Sequence, residues 1–392
     1  MLGRRPLRQA RPEVVDASGR RRPVVLWATP LTLTLAVLLV TSPGAARSST
    51  GASAVSVSLV PAKTLRLSGR VDSNSPAVWD RVAGRERLFV VTSAGGRPSV
   101  ARGIDLGQLG QPQLVALKPW PGGYVWIEAI VRDANGTWYG YYHNEIPAED
   151  ACPESGKVVP RIGAARSRDQ GGTWENLGII LEAPAELVAC ETTNNYFVNG
   201  AGDFSVMLDP RSRYVYFFLS QYERPTTLQG IAVARMEWAD RAAPARKIMF
   251  WRSTTWIPAT REVESDDGEP GMVFETGTPI FPAIDGWHDE GTTTDAFWGP
   301  SIHWNSYLEQ YVMLLNRARN TDYASEGIYV SFAPRLDDPR LWTTPKKILD
   351  RGGWYPQVIG TVPGTGTDKL AGQSPRLFIS GTSQHMIRFS SP

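Results

Sequence analysis

From Val71 onward the chain alternates short apolar runs, filled with Val, Ile, Tyr, Phe and Trp, with polar breaks rich in Gly, Pro, Asn and Asp. Runs of this length and composition predict β-strands, and almost no segment carries the spacing of an amphipathic helix. Four runs, Arg87–Thr92, Thr137–Tyr142, Tyr214–Leu219 and Gln310–Leu315, occupy equivalent places in a longer unit. Each follows a shorter strand and a turn, the shorter strands being Ser75–Trp79, Trp126–Val131, Phe204–Leu208 and Ser301–Trp304. Further strands come behind them, such as Gln113–Leu117, Gly178–Leu181 and Lys346–Leu349. A fifth unit runs from Trp354–Ile359 through Arg376–Ser380 to Met386–Phe389.

A strand, a turn and three more strands, repeated, is the order of a propeller blade. Five units in roughly 320 residues give about 65 residues each, more than a compact blade needs, which leaves room for long surface loops. The expected architecture is all-β, a single five-bladed β-propeller over residues 67–392. The surplus concentrates between Trp238 and Asp295, where Trp251, Trp256, Pro258 and the acidic run Glu262 to Glu269 break the pattern. Residues 239–294 read as an insertion. A six-bladed propeller, with a degenerate blade there, is the alternative.

The 392 residues carry a formal charge of +2, unevenly spread. Eight of the 41 basic residues and two of the 39 acidic ones fall in residues 1–50, leaving 33 basic against 37 acidic residues in the body. That body has no cationic excess to attract nucleic acid or anionic lipid. The N-terminal charge ends in Arg20-Arg21-Arg22, ahead of an apolar run from Val24 to Val40 and the small residues Ser42 to Ala46. This order reads as an export signal over 1–46, cleaved near Ala46, with an uncleaved anchor as the alternative. Residues 47–66 follow as a tether that can also supply a closing strand. A secreted or cell-surface chain sits in an oxidising compartment, where the only two cysteines, Cys152 and Cys190, are expected to form a disulfide beside the funnel. No membrane insertion is expected after cleavage, and the four scattered histidines offer no zinc spacing.

One local motif is specific. Ser167, Asp169, Gly171, Thr173 and Trp174 match every defined position of the Asp-box, S-x-D-x-G-x-T-W, of sialidase-like propellers. Its residue types suit a turn between outer strands, in which Asp169 caps backbone amides, glycine permits the turn and Trp174 packs inward. Its expected role is structural.

Chemistry is expected where the innermost strands begin, because in a propeller those starts converge on one funnel. They carry Asp72, Trp126 with Glu128, Asp203, Asp295 with Trp298, and finally Trp354, Tyr355 and Gln357. Asp72 and Asp203 also suit ordinary turn caps, whereas a carboxyl such as Glu128 in an apolar strand is costly unless used. An Asp at the first inner strand, an acid in a Trp-led second one and an acid opening the third resemble the five-bladed propeller glycosidases. That group includes the arabinanase and xylosidase family 43 and the fructosidase family 32. The resemblance implies hydrolysis of a glycosidic bond in an oligo- or polysaccharide, with no required cofactor. It implies a first-blade Asp as base or nucleophile, a second-blade acid that tunes it and a third-blade Glu as proton donor. Here the second and third acid types are exchanged. It also leaves room for a structural calcium in the central channel, beside His303.

Such a reaction needs one protonated and one ionised carboxyl across the bond. Asp72 is the expected base or nucleophile and Glu128 the donor, with Asp203 holding their proton affinities apart. Glu145, next to His143 in sequence space, is the rival donor. Trp126, His143, Asp295, Trp298, His303, Trp354, Tyr355 and Gln357 are the expected sugar contacts. Two other readings stand beside this one: a sialidase-like exo-glycosidase, which would need three converging arginines from among residues such as Arg102, Arg166, Arg235 and Arg317, and a non-catalytic carbohydrate-binding propeller.

Overall fold

The computed structural model describes residues 55–184, 187–264, 270–288 and 291–391; the export signal expected over 1–46 lies outside them. Five antiparallel sheets follow one another along the chain as five blades of a β-propeller. Blade one is built from Ala77–Val82, Arg85–Ala94, Arg97–Gly103 and Gln113–Leu114. Tyr124–Arg132, Trp138–Pro147, Val158–Ser167 and Thr173–Leu181 make blade two, with Ala116–Lys118 added in parallel at its outer edge. Blade three runs outward from Ala201–Leu208 through Tyr214–Tyr222 and Gln229–Glu237. Blade four comprises Thr293–Asn305, Gln310–Asn320, Ser325–Ala333 and Lys346–Asp350, and blade five Pro356–Ile359, Arg376–Ile379 and Thr382–Ser390.

Ser56–Arg66 pairs antiparallel with Thr382–Ser390 as the outermost strand of blade five, Val57 facing Phe389 and Leu59 facing Ile387. The beginning of the described chain and its end thus share one sheet. The stretch 239–294, read from sequence as an insertion, is partly blade: Met249–Arg252 and Thr255–Pro258 are the outer strands of blade three. Among the described residues of this stretch only the hairpin Thr260–Glu264 with Pro270–Phe274 stands apart as a separate sheet, and they form no sixth blade.

Two-faced burial explains why the middle strands look continuously apolar. Side chains alternate across a strand with period two, so a strand packed on both faces shows no polar phase. In Tyr214–Tyr222, Val215, Phe217 and Leu219 join the cluster that holds Tyr141, Ile162 and Ala164 of blade two. Tyr216 and Phe218 join instead the cluster with Tyr311, Met313 and Leu315 of blade four. The same strand is core to both neighbours. Between the outer strands of blade two, the Asp169 carboxylate accepts from Thr173 N at 2.9 Å, Thr173 Oγ1 at 2.7 Å and Ser167 Oγ at 2.8 Å. Trp174 donates Nε1 to Gly171 O at 3.0 Å and is buried, and Gln170 Nε2 donates to Arg81 O of blade one at 2.8 Å, so the turn is closed by its own residues and docks on the neighbouring blade.

Candidate active site

The inner strands open onto a cavity of about 250 Å³ lined by Asp72, Glu145 and Asp203, by His143, and by a wall of aromatic rings. Backbone irregularity aims the acids. The ladder between the first two strands of blade two skips a residue between Ile127 and Ala129, and that residue is Glu128. In blade three the skip falls between Gly202 and Phe204, and the residue is Asp203, held at φ +42°. A bulge turns one side chain out of the alternation and toward a site. Gly202 makes the second bulge fit, since a Cβ there would lie 2.6 Å from His143 Cε1.

His143 is the centre of the cluster. Its Nδ1 accepts from Asp203 N at 3.3 Å and lies 3.4 Å from Glu128 Oε1 and 3.8 Å from Asp203 Oδ1. With Nδ1 accepting, a neutral ring carries its proton on Nε2, which faces Glu145 Oε1 at 3.5 Å. Glu128 is 1% exposed and its Oε2 accepts from Phe204 N at 2.7 Å, so it stands behind His143 and is not among the residues lining the cavity. Asp203 Oδ2 accepts from the Tyr222 hydroxyl at 2.6 Å.

Crowding several carboxyls around one imidazole in a dry site favours their neutral forms. Burial pushes Glu128 up to about 8, against the Phe204 N–H that favours its anion. Burial likewise raises Glu145 to about 7, opposed by His143, and Asp203 to about 6, again opposed by His143. Asp72 is also raised by burial but is held down by His143 and by Arg70.

Trp126, His143, Trp298, Trp354 and Tyr355 line the cavity together with the acids. Three other expected contacts do not. Asp295 lies in a register break near the start of its strand and forms a two-pronged ion pair with Arg317, at 2.5 and 2.7 Å. Gln357 clamps blade one to blade five, its amide accepting from Ser75 N at 2.9 Å and donating to Ser75 O at 2.8 Å. His303 is buried further along the axis, with neither ring nitrogen hydrogen-bonded.

Tyr196, Phe197 and Tyr323 complete the wall and were not expected from sequence. The first two sit in the segment after blade two, which the Cys152–Cys190 disulfide ties down with a Cα–Cα distance of 5.2 Å. Asn194 Nδ2 donates to the Tyr323 hydroxyl at 3.2 Å, and Tyr196 meets the Tyr323 ring edge-on at 5.4 Å. Nothing periodic marks these positions; the only available signal was the density of Asn and aromatic residues in Asn194-Asn195-Tyr196-Phe197.

No arginine is among the residues lining the cavity. Arg166 pairs with Glu175 at 2.6 Å, Arg317 with Asp295, and Arg235 lies over the rings of Tyr214 and Trp256 at 4.2 and 4.1 Å. Arg102 borders a different depression. The arginine triad of a sialidase-like site is therefore not assembled here.

Two places could be considered for a metal ion. Glu128, His143 and Asp203 present ligand atoms within 4.8 Å of one another. The channel near His303, where a calcium was expected, does not suit one. Lys369 Nζ lies 3.1 Å from Ser205 Oγ and 3.1 Å from Asp368 Oδ2; burial pushes His303 down to about 3, and the Lys369 charge adds to that. The hub carbonyls of Phe204 and Pro300 are both taken by Asn74 Nδ2 at 2.9 Å. A fixed ammonium and occupied carbonyls leave a hard dication short of oxygen ligands.

The sequence matches no family model and no curated protein. Among solved structures it is similar to an endo-arabinase from Bacteroides thetaiotaomicron, with 12% identity, 86% of this chain and 97% of that chain covered, and a TM-score of 0.45. The catalytic domain of a GH62 alpha-L-arabinofuranosidase from Coprinopsis cinerea gives 11% identity, coverage of 85% and 96%, and a TM-score of 0.43. A glycoside hydrolase of family 43, the YxiA protein from Bacillus licheniformis, gives 14%, 83% and 72%, and 0.40.

Proposed function

We propose that this propeller is a glycoside hydrolase acting on an oligo- or polysaccharide, with Glu145 as proton donor and Asp72 as the ionised partner, base or nucleophile. The observation that carries the reading is one cavity lined by both Glu145 and Asp72. Burial raises the proton affinity of each, Glu145 to about 7, with His143 opposing the rise at both and Arg70 opposing it at Asp72 alone. A pair of carboxyls whose surroundings differ in this way suits a division into proton donor and ionised partner. Glu145 gives its proton to the bridging oxygen as the bond to the anomeric carbon breaks, and Asp72 assists attack on that carbon.

Glu128, first in line for the donor role on sequence grounds, is assigned a positioning role instead, because it sits behind His143 rather than in the cavity wall. Asp203 and His143 share that work, and Asp203 adds negative charge that helps keep the Glu145 proton on. The aromatic wall suits the flat faces of sugar rings. We read the substrate as carbohydrate, the enzyme as exported by residues 1–46, and the Ser167–Trp174 turn as a structural Asp-box.

Release of reducing ends from a panel of cell-wall polysaccharides and aryl glycosides provides the test. Glu145→Gln and Asp72→Asn are each expected to lower kcat by about 10²- to 10⁴-fold, with activity in the wild type falling as pH rises past about 7. A Glu145→Gln enzyme with unchanged kcat and an unchanged alkaline limb ends this assignment.

A further inference from the structure

On the blade-two side, the rim of the cavity carries aromatic surface that the acid and base do not use. Trp126, in the cavity wall, meets Tyr124 at a ring separation of 6.1 Å, and Tyr124 is 50% exposed. Just beyond, Trp120 is 38% exposed and donates Nε1 to Gly123 O at 3.2 Å, with the Arg97 guanidinium 5.3 Å from its ring. Single exposed rings are ordinary. A row that begins inside a polar cavity and continues across the rim is a recognition surface.

The loop that carries these rings is fixed rather than frayed. Asn144 Nδ2 donates to Gly122 O at 2.9 Å and to Tyr124 O at 2.8 Å, and Asn176 Nδ2 donates to Pro119 O at 3.0 Å. A Cβ on Gly123 would lie 1.9 Å from Glu145 O, so only glycine lets the loop lie against the strand that carries Glu145. The rings are therefore held at a set place relative to that carboxyl, which lowers the ordering cost of binding.

We propose that Tyr124 and Trp120 form a distal carbohydrate subsite, which stacks a sugar further along the chain whose reacting residue lies in the cavity. The proposal rests on the glycosidase reading for what fills the cavity. Its occupant is a neutral glycan: each ring presents a flat apolar face to sugar C–H groups, and the Arg97 guanidinium stands ready to donate to hydroxyls. A Cβ on Gly122 would meet nothing within 4 Å, so the approach beside the rings is open. The enzyme is thereby built for polymers or long oligosaccharides.

Tyr124→Ala and Trp120→Ala test this, with Tyr307→Ala as control, since Tyr307 is similarly exposed at the turn joining the first two strands of blade four. Two readouts are needed: mobility in native gels containing arabinan, xylan, arabinogalactan or β-glucan, and kcat/KM on the polymer and on a short aryl glycoside. Both rim variants are expected to lose retardation and about tenfold in kcat/KM on the polymer, with the short substrate unaffected. The control should behave as wild type. Retardation dependent on the rings without any hydrolysis supports the subsite and counts against the glycosidase reading. Unchanged retardation and polymer kinetics in both variants, no retardation of the wild type by any polymer, or an equal loss on both substrates overturns the subsite.

Discussion

The two ends of the propeller axis treat charge in opposite ways. At the mouth, where the inner strands begin, Asp72, Glu145 and Asp203 face one cavity and His143 is the only basic group lining it. At the far end, where those strands finish, the chain folds back through Leu370–Ala371, which pairs in parallel with Trp304 and Asn305 of blade four. There Asp368 and Lys369 are paired: Asp368 Oδ1 accepts from Ala77 N at 2.9 Å, and Lys369 reaches Ser205 and Asp368. One hub thus contains both solutions. The far end pairs an acid with a base, so the surplus of carboxyls over the single imidazole lining the mouth is a feature of the site. Their desolvation appears as raised proton affinity, which is what a donor near neutral pH needs.

The mouth depends on a loop that the far end does without. Cys152 and Cys190, 38 residues apart, tie down the segment that places Tyr196 and Phe197 in the cavity wall. A cross-link of this span contributes about 3 to 4 kcal/mol by restricting the unfolded chain. Cys152→Ser with Cys190→Ser is expected to lower the unfolding free energy by about that amount and to raise KM more than it lowers kcat. Urea titration and steady-state kinetics on one preparation separate the two. If KM is unmoved while stability falls, the wall is fixed by Asn194 and Tyr323 alone, and the contrast between the two ends weakens.

Another effect follows from the protons held at the mouth. Glu128, Glu145 and Asp203 have folded-state affinities pushed up to about 8, 7 and 6, against ordinary values of 4.5, 4.5 and 3.8. Below the ordinary range both folded and unfolded chains hold these protons; above it only the folded chain does, releasing them in turn near 6, 7 and 8. The native state therefore binds more protons in that window, and stability must fall as pH rises through it. The mouth is expected to make the unfolding free energy decline steadily between about pH 5 and 8, read by urea titration at a series of pH values. Glu128→Gln, which keeps an acceptor for the Phe204 N–H, should flatten the curve. An identical slope in wild type and variant would show that Glu128 is not protonated in the native state.

The comparison also marks what the sequence made readable. Strands such as Tyr214–Tyr222 announce themselves because both faces are apolar, and counting blades leads to Trp126 and Asp203 in their inner strands and to Asp72 shortly ahead of Ala77–Val82. Placing Glu128 was harder. Period-two reasoning cannot see the skipped residue between Ile127 and Ala129, and that bulge decides that Glu128 supports His143 while Glu145, on the next strand, faces the cavity. Asp295 failed for a related reason: its strand starts further out than its equivalents, and Arg317 on the neighbouring strand captures it. Tyr196, Tyr323 and Lys369 reach the hub from loops, whose course is set by long-range contacts such as Asn194 to Tyr323 and Lys369 to Ser205 rather than by any local pattern.

The smallest expected effect concerns metal, and it distinguishes the ends most sharply. Lys369 already supplies positive charge beside His303, so excess calcium or a chelator should leave Tm unchanged to within about one degree near neutral pH. The mouth offers a competing set in Glu128, His143 and Asp203, but a carboxyl ligand must be ionised to bind, and Glu128 holds its proton to about 8. Calcium stabilisation should therefore be absent at pH 7 at both ends, for different reasons. If it appears, the variants locate it: a shift kept in Glu128→Gln and lost in His303→Ala would place the ion beside Lys369 and undo the charge assignment at the far end. The reverse pattern would place it among the acids, and the raised affinities at the mouth would then describe only the metal-free protein.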